Sequence, residues 1–345
     1  KDEFMKQRDY YFDNAKFILI FFVVFGHFIQ SFINDNQNIY TLYKVIYTFH
    51  MPAFILISGF FAKGIAEKGY IKKYAKKLII PYLIFQLVYS IFYYFLYGKS
   101  TFAIEPLTPH WSLWFLISLF FWNIFLLAFV KLKPIHGILL SFILGLAIGM
   151  VDWTSSYLSL TRTFVFFPLF LIGFYMKKEH FALVKTKKAT ILAIVIFTIV
   201  FIGFHLFPTV NYQWLFGSKS YEALGEGYFI GMAIRLFFYL LSFLMIFCFF
   251  ACVPKKEYFF TKFGKSTLYV YLLHGFFIRL FRQSDLPDIF ESPRSYVMII
   301  IVSFLITVLL SSNIIISFTQ PIIELKSSKL KKLFSRVQRS LQTNR

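Results

Sequence analysis

The sequence is short of charged residues, of acidic residues above all, and of cysteine. Only 15% of its 345 residues are charged, whereas a soluble domain carries about 25%. The 16 acidic residues face 36 basic ones, which gives a net charge of +20. Cys248 and Cys252 are too few for a disulfide framework, and a metal site cannot be built from this pair alone. These shortages exclude an ordinary soluble domain and a disulfide-rich scaffold.

Apolar residues are what the sequence has in excess. They make up 58% of the chain, and phenylalanine alone contributes 50 residues, more than a surface in water carries without aggregation. They form runs of the roughly 17–25 residues that cross a bilayer. Because the basic residues lie between these runs and not on one amphipathic face, the charge does not indicate nucleic-acid binding. The sequence therefore predicts an all-α, polytopic membrane bundle.

About ten transmembrane helices are expected, with both termini in the cytoplasm. The predicted spans are 15–33, 43–62, 76–97, 111–130, 135–151, 162–176, 189–207, 229–252, 266–281 and 296–323. With the N-terminus inside, Lys44, Lys99, Lys219 and Arg294 are assigned to the outer segments, and the lysine clusters between the other spans are cytoplasmic. This alternation follows the positive-inside rule. Residues 326–345 read as a basic cytoplasmic tail that lies on anionic lipid.

Two histidines are the first candidates for chemistry, because ionisable groups inside a membrane are costly and mark functional sites. His27 lies twelve residues from the inner end of the first span, and His50 lies twelve from the inner end of the second, so both are expected about 18 Å deep. Pro52 opens the helix beside His50, since it cannot donate to the carbonyl of Thr48. The two imidazoles are either catalytic or buried groups that hydrogen-bond neighbouring helices.

The remaining candidates could hold a ligand. Lys16 precedes His27 by eleven residues, close to three helical turns, so it shares a face with His27 about 16 Å away. It could bind the far end of a long ligand, or it could snorkel at the interface and pair with Asp13. Ser58 and Gly59 permit close approach of a ligand or of another helix. Arg162 is a further intramembrane cation.

Several short motifs run in order through most of the chain. They are Lys16-x10-His27, Phe49-His50-Met51-Pro52, Ser58-Gly59-Phe60, Lys77-Leu-Ile-Ile-Pro81-Tyr82, Leu113-Trp114-Phe115-Leu116, Pro168-Leu-Phe-Leu-Ile-Gly173, Phe263-Gly264-Lys265-Ser266 and Tyr271-Leu-Leu-His274. Together they resemble the integral membrane acyltransferase 3 family and its fucose 4-O-acetylase-like branch. The resemblance implies ten helices and transfer of an acyl group, usually acetyl from acetyl-CoA, to a hydroxyl of a cell-surface or lipid-linked glycan.

The resemblance raises His27 to the catalytic candidate and Lys16 to a donor-site candidate, and it carries over His50 and Ser58 as motif positions without a settled role. In the mechanism that we expect, His27 is the general base, and His50 orients the acceptor or stabilises charge. The catalytic candidates are thus His27 and His50, and the donor-binding candidates are Lys16, Ser58, Gly59 and Arg162. The expected partners are acyl-CoA, a glycan acceptor and membrane lipids, with no metal and no nucleic acid. Residues 1–325 form the acyltransferase domain of a multi-pass protein in a bacterial cell membrane.

The distribution of charge predicts the side from which each substrate arrives. CoA is a cytoplasmic polyanion, and a positive face raises the local concentration of such a ligand, so the donor is expected from inside. The outer segments carry aromatic and polar residues that suit a sugar, although they also suit an interfacial aromatic belt. They are His110, Trp111, Trp153, Tyr157, Tyr212, Trp214, Tyr221, Glu222 and Glu226.

Two other functional classes stay open. A transporter of a small polar or anionic solute also has broken helices and intramembrane charges, but the matched motifs and the absence of a detectable internal repeat disfavour it. A haem protein would use His27, His50 or His274 as axial ligands. Acyl transfer by the purified protein identifies the enzyme, and a Soret band identifies the haem protein.

Overall fold

The computed structural model describes residues 9–65, 67–289 and 293–325, and this part of the chain is a bundle of helices without strands. The helices are α1 (Tyr10–Ile29), α2 (Gln37–Phe60), α3 (Tyr70–Tyr74), α4 (Ile80–Leu96), α5 (Trp114–Phe129), α6 (Pro134–Ala147), α7 (Leu160–Tyr175), α8 (Lys178–Val184), α9 (Lys187–Leu206), α10 (Gln213–Phe216), α11 (Tyr228–Cys252), α12 (Thr267–Gln283), α13 (Leu286–Ile289), α14 (Pro293–Leu310) and α15 (Asn313–Ile323). The predicted tail at 326–345 lies outside the described residues.

Five helical segments of the described residues are long and apolar enough to cross a membrane. They are Tyr10–Phe32, Tyr70–Leu96, Tyr157–Tyr175, Lys187–Leu206 and Tyr228–Cys252. A bent pair, Tyr296–Leu310 with Asn313–Ile323, makes a sixth if it is counted as one span. The prediction of an all-α membrane bundle is confirmed, and each predicted span overlaps at least one helix. The count of ten crossings and the cytoplasmic termini stay predictions.

The last predicted span, 296–323, is not one straight helix. α14 and α15 meet at a bend of 62°. Ser311 Oγ donates to Thr307 O at 2.8 Å, and Ser312 Oγ accepts from Ile315 N at 3.4 Å as the N-cap of α15. Serine and asparagine side chains compete with helical hydrogen bonds and favour caps. The local Ser-Ser-Asn sequence therefore divides an apolar run that hydropathy alone treats as continuous.

α2 is the central helix of the bundle and contacts α1, α7, α9 and α11. Its packing on α7 depends on two glycines that face each other. A Cβ on Gly59 would lie 1.9 Å from Phe170 O, and one on Gly173 would lie 2.1 Å from Leu56 O. Small residues permit this close backbone approach in membrane bundles. The two glycines thus fix the separation of the helices that build the site.

Lys44 was assigned to an outer segment, but it does not lie in an outer loop. It is fully buried within α2, and its Nζ donates to Phe204 O at 3.3 Å and to Pro208 O at 3.4 Å. These carbonyls lie at the C-terminal end of α9, where a cation is favourable because carbonyl groups lack helical partners there. Lys44 therefore holds the end of α9 against α2.

The turn before α4 is widened into a π-helix at Ala75–Ile79. Pro81 follows at the start of α4 and has no N–H to donate to the carbonyl of Lys77 four residues earlier. Single π turns inside helices are frequent at functional sites. This one brings Lys77 and Leu78 to the wall of an internal cavity.

Candidate active site

A cavity of about 190 Å³ contains both predicted catalytic histidines. We call it the histidine cavity. Its walls come from α1, α2, α5, α7, α10 and α12 and from the segment before α5. The lining residues are Val23, His27, Gln30, Tyr47, His50, Met51, Trp111, Ser112, Trp114, Arg162, Phe166, Leu215, Phe216 and Tyr271. The structure thus brings together His27 and His50, whose matched depth led to the expectation that they are neighbours.

Tyr47 joins the two histidines. Its hydroxyl is 3.2 Å from Nδ1 of His27, and its ring meets that of His50 edge-on at a centroid distance of 4.5 Å. Tyr47 lies one helical turn before His50, on the same face of α2. Sequence reasoning did not select it, although this spacing placed it beside His50.

The tautomer of His50 follows from its surroundings. Nδ1 of His50 is 2.9 Å from the carbonyl oxygen of Ile46. A carbonyl only accepts hydrogen bonds, so Nδ1 carries the proton and Nε2 keeps a lone pair. In this form His50 can accept a hydrogen bond from a hydroxyl group in the cavity, and it cannot donate to an oxyanion.

A third histidine, His274, lies beside the cavity. Its ring stacks on that of His27 with centroids 5.5 Å apart and an interplanar angle of 20°. Nδ1 donates to Val270 O at 3.0 Å, and Nε2 is buried with no hydrogen-bond partner among the described residues. From the sequence, His274 was named only in a motif and as an alternative haem ligand and was not chosen as a site residue of the acyltransferase. Its place in the motif Tyr271-Leu-Leu-His274 was the available signal.

Trp111 covers His27, with a ring-centroid distance of 4.2 Å. The segment that carries it is bound to α4 and α12. Gln86 Nε2 donates to Glu105 O at 2.8 Å and to Thr108 O at 2.9 Å, and Gln86 Oε1 accepts from His110 N at 2.9 Å. Tyr271 donates to the carbonyl of Ser112. These hydrogen bonds fasten the connecting segment to two helices and hold the indole over the imidazole.

Four other aromatic residues of the predicted outer segments lie in different environments. Tyr212 lines a further cavity, which is described below. Trp153 and Tyr157 are exposed, and Tyr221 is buried against Arg235.

The predicted donor-binding residues do not form one cluster. Arg162 lines the histidine cavity, where its guanidinium packs on Trp114 and its Nε donates to Phe216 O at 3.3 Å. Ser58 lines a second cavity. Gly59 contacts α7 and does not line either cavity. Lys16 pairs with Asp13 at 2.9 Å and also lines neither.

Two further cavities adjoin the histidine cavity, one towards each end of the bundle. The Ser58 cavity, about 160 Å³, shares Val23, Met51 and Tyr271 with it. It extends towards the end that bears the loop of residues 61–69, and its lining residues also include Ser58, Tyr74, Lys77 and Thr267. The Arg282 cavity, about 420 Å³, shares Gln30 with the histidine cavity and lies at the opposite end. It is lined by Gln30, Ser31, Ile33, Asn34, Tyr212, Arg282 and Pro287.

The geometry does not suit a haem between these histidines. The rings of His27 and His274 lie face to face, whereas axial ligands point a ring nitrogen at the iron. The histidine cavity, at about 190 Å³, is also smaller than the roughly 300–1,000 Å³ of sites for drug-sized ligands. In the part of the chain that is described, no group of three or more His, Cys, Asp or Glu side chains could hold a metal ion.

A family model described as an acyltransferase domain matches residues 9–312. The chain belongs to the acyltransferase 3 family. This match includes every residue that lines the three cavities, and the prediction of a membrane acyltransferase is confirmed.

Two curated relatives have the same name. The chain is similar to the nodulation protein NolL of Sinorhizobium fredii (strain NBRC 101917 / NGR234), with 31% identity over 185 residues, which is 48% of each chain. It is also similar to the nodulation protein NolL of Mesorhizobium japonicum (strain LMG 29417 / CECT 9101 / MAFF 303099), with 40% identity over 83 residues, or 22% of each chain. The matched region therefore spans about half the length of the first relative and less of the second. No solved structure matches the chain.

Proposed function

We propose that the protein is an O-acetyltransferase that moves acetyl from cytoplasmic acetyl-CoA to a hydroxyl of a cell-surface or lipid-linked glycan. Residues 1–325 would form this domain, and 326–345 a cytoplasmic tail, in the cell membrane of a bacterium. One observation carries the proposal. Three adjoining cavities follow one another through the bundle, and the middle one contains two histidines.

His27 is the general base of the proposed reaction. Nε2 can take a proton when Nδ1 carries the other proton and donates to Tyr47, since a neutral imidazole has one donor and one acceptor. A neutral imidazole suits this task near physiological pH. The acceptor hydroxyl gives its proton to Nε2, and its oxygen attacks the thioester carbon. The carbon–sulfur bond then breaks, and the CoA thiolate leaves and takes the proton from the imidazolium.

His50 and Arg162 have complementary roles in this scheme. The lone pair on Nε2 of His50 accepts a hydrogen bond from an acceptor hydroxyl and so orients the sugar. Arg162 presents a cation to the same cavity, and it stabilises the negative charge that develops on the thioester oxygen. Preorganised charge of this kind is commonly the largest contribution to acyl-transfer catalysis.

The Ser58 cavity suits the pantetheine arm of the donor. The arm is long and thin, and the cavity is small and mostly apolar, with Ser58, Lys77 and Thr267 as polar groups along its wall. Lys77 lines this cavity, and the basic residues that precede it at 63–76 add positive charge that attracts the CoA phosphates. Lys16 contributes to this charge from the N-terminal part of α1, where it retains its pair with Asp13.

The test uses protein purified in detergent and acetyl-CoA labelled in the acetyl group. We expect slow release of free CoA thiol without an acceptor and faster release, with labelled product, when an extract of envelope glycans is added. No release of CoA under either condition would contradict the proposal. A deletion strain is expected to lose ester-linked acetyl from an envelope glycan, and unchanged ester content would contradict the proposed acceptor class.

A further inference from the structure

Two arginines on the last turns of α12 lie against the same indole. The guanidinium carbons of Arg279 and Arg282 are 4.7 Å and 5.5 Å from the ring centroid of Trp111. Arg282 Nη2 also donates to His27 O at 2.7 Å and to Gln30 Oε1 at 2.8 Å. Arg279 Nη1 donates to the hydroxyl of Tyr97 at 3.5 Å. Two cations are thus held side by side next to the catalytic histidine.

Neither arginine has an anionic partner among the residues that the structure describes. Their hydrogen bonds go to neutral oxygens, and the Nε atom of each is buried without a partner in that part of the chain. A partly buried guanidinium is stabilised when a carboxylate or phosphate accepts its hydrogen bonds. Two adjacent cations with unused donors therefore point to an anion that comes from outside the protein.

A cavity is present where such an anion would bind. Arg282 lines the Arg282 cavity of about 420 Å³ together with Gln30, Ser31, Asn34 and Tyr212. Ser31 Oγ is also buried with no partner in the described ranges. Each polar side chain that lines it can donate a hydrogen bond, and none of the described residues that line it is acidic. This composition suits a negatively charged polar ligand and disfavours an apolar one.

We propose that the Arg282 cavity is a subsite for an anionic group of the acceptor, a phosphate or a carboxylate close to the hydroxyl that is acetylated. The inference rests on the proposed function, because it concerns the acceptor of that reaction. Gln30 lines both this cavity and the histidine cavity, and Arg282 is hydrogen-bonded to the backbone of His27. An anion bound here would direct the neighbouring hydroxyl towards His27. The acceptor is then an acidic sugar unit or a sugar phosphate, and a neutral sugar is a poorer substrate.

The experiment measures binding of three small probes to the purified protein by titration calorimetry. The probes are glucose 1-phosphate, glucuronic acid and glucose, which differ in the charged group and share the sugar ring. We expect at least one anionic probe to bind about tenfold tighter than glucose, which corresponds to about 1.4 kcal/mol. The stronger of the two anionic probes identifies phosphate or carboxylate as the natural group. Equal binding of all three probes would overturn the inference.

Variants test whether the arginines cause the preference. Arg279→Gln and Arg282→Gln are expected to lose most of the preference for the anionic probe, and Arg282→Lys is expected to keep part of it. Lys99→Gln is the matched control, because it removes one exposed cation at the same end of the bundle outside the cavity. Retained preference in both Gln variants, or an equal loss in the Lys99 control, would overturn the assignment to this subsite.

Acetyl-CoA hydrolysis without acceptor, measured on the same samples, separates the two proposals. If the wild-type protein hydrolyses acetyl-CoA but binds all three probes equally, the proposal of an anionic subsite is contradicted and the proposal of an acetyltransferase stands. If the protein binds an anionic probe tightly but neither hydrolyses acetyl-CoA nor transfers acetyl, the proposed reaction is contradicted and the anion-binding subsite stands.

Discussion

The two cavities that adjoin the histidines differ in size and in chemistry. The Ser58 cavity has a volume of about 160 Å³ and is walled mostly by Leu, Ile, Val and Phe side chains, with Ser58 and Lys77 among its few polar groups. The Arg282 cavity has about 420 Å³, and most of its lining residues are polar. A narrow apolar passage accommodates a slender chain, whereas a wide polar one replaces the hydration of a sugar. This difference fits the proposed reaction, in which the donor and the acceptor reach His27 from opposite ends.

Removal of the His27 imidazole is expected to have the largest effect on acetyl transfer, because His27 is the general base of the proposed reaction and lies between the Ser58 cavity and the Arg282 cavity. We expect His27→Ala to lower acetyl transfer by about 10²–10⁴-fold, the usual contribution of a general base. Labelled transfer by purified variant protein is the measurement, and an unchanged elution profile and melting temperature is the control for folding. Near-normal transfer by the variant would remove His27 from its role.

Closing the narrow cavity is expected to have the next largest effect. Ser58→Phe places a ring in the Ser58 cavity, and we expect a loss of about 10²-fold in kcat/KM for acetyl-CoA, since a small displacement of a reacting group costs about that much. Ser58→Ala is the matched control, because it removes only the hydrogen bond to Phe54 O and is expected to keep most activity. Equal activity of the Phe and Ala variants would show that the donor does not use this passage.

Substitution of Tyr47 tests the hydrogen bond between its hydroxyl and His27 in the histidine cavity. Tyr47→Phe removes the hydroxyl beside Nδ1 of His27 and retains the ring that packs on His50. We expect kcat to fall about tenfold, because one hydrogen bond contributes about 1 kcal/mol or slightly more, while KM for acetyl-CoA stays the same. Loss of thermal stability with unchanged kcat would make Tyr47 a packing residue.

The charge of Lys16, in the N-terminal part of α1, is expected to have the smallest effect. Lys16→Ala is expected to raise KM for acetyl-CoA a few-fold, because a partly exposed cation contributes about 0.2–1 kcal/mol to an ionic contact. Lys16→Arg preserves the cation and is expected to behave like the wild type. Equal KM in the wild type and the Ala variant would leave Lys16 as an interfacial residue paired with Asp13.

The helices and the histidine pair could be predicted from the sequence because both depend on local rules. Span length follows from apolar runs, and the depth of His27 and His50 follows from the rise of a helix. The break at Ser312 was missed because hydropathy averages over a few polar residues, whereas one serine side chain caps α15. The burial of Lys44 was missed because its partners are carbonyls of α9, more than 150 residues away in the chain.

The rest of the candidate site depends on contacts between distant segments. Trp111 meets His27 only because Gln86 and Tyr271 hold its segment, and Arg282 meets His27 across an interval of 255 residues. No periodicity connects such positions. Gly59 illustrates the reverse case. The sequence allowed close approach by a ligand or by another helix, and its contact with Phe170 could be known only after α2 and α7 were packed together.

The comparison of the two cavities is tested most directly by the side of the membrane from which acetyl-CoA reacts. The measurement uses sealed vesicles with the protein in one known orientation, an envelope glycan extract on both sides, and acetyl-CoA on one side only. We predict transfer only when acetyl-CoA contacts the face that bears residues 63–77, next to the Ser58 cavity. Equal transfer with acetyl-CoA confined to the face of the Arg282 cavity would contradict the account.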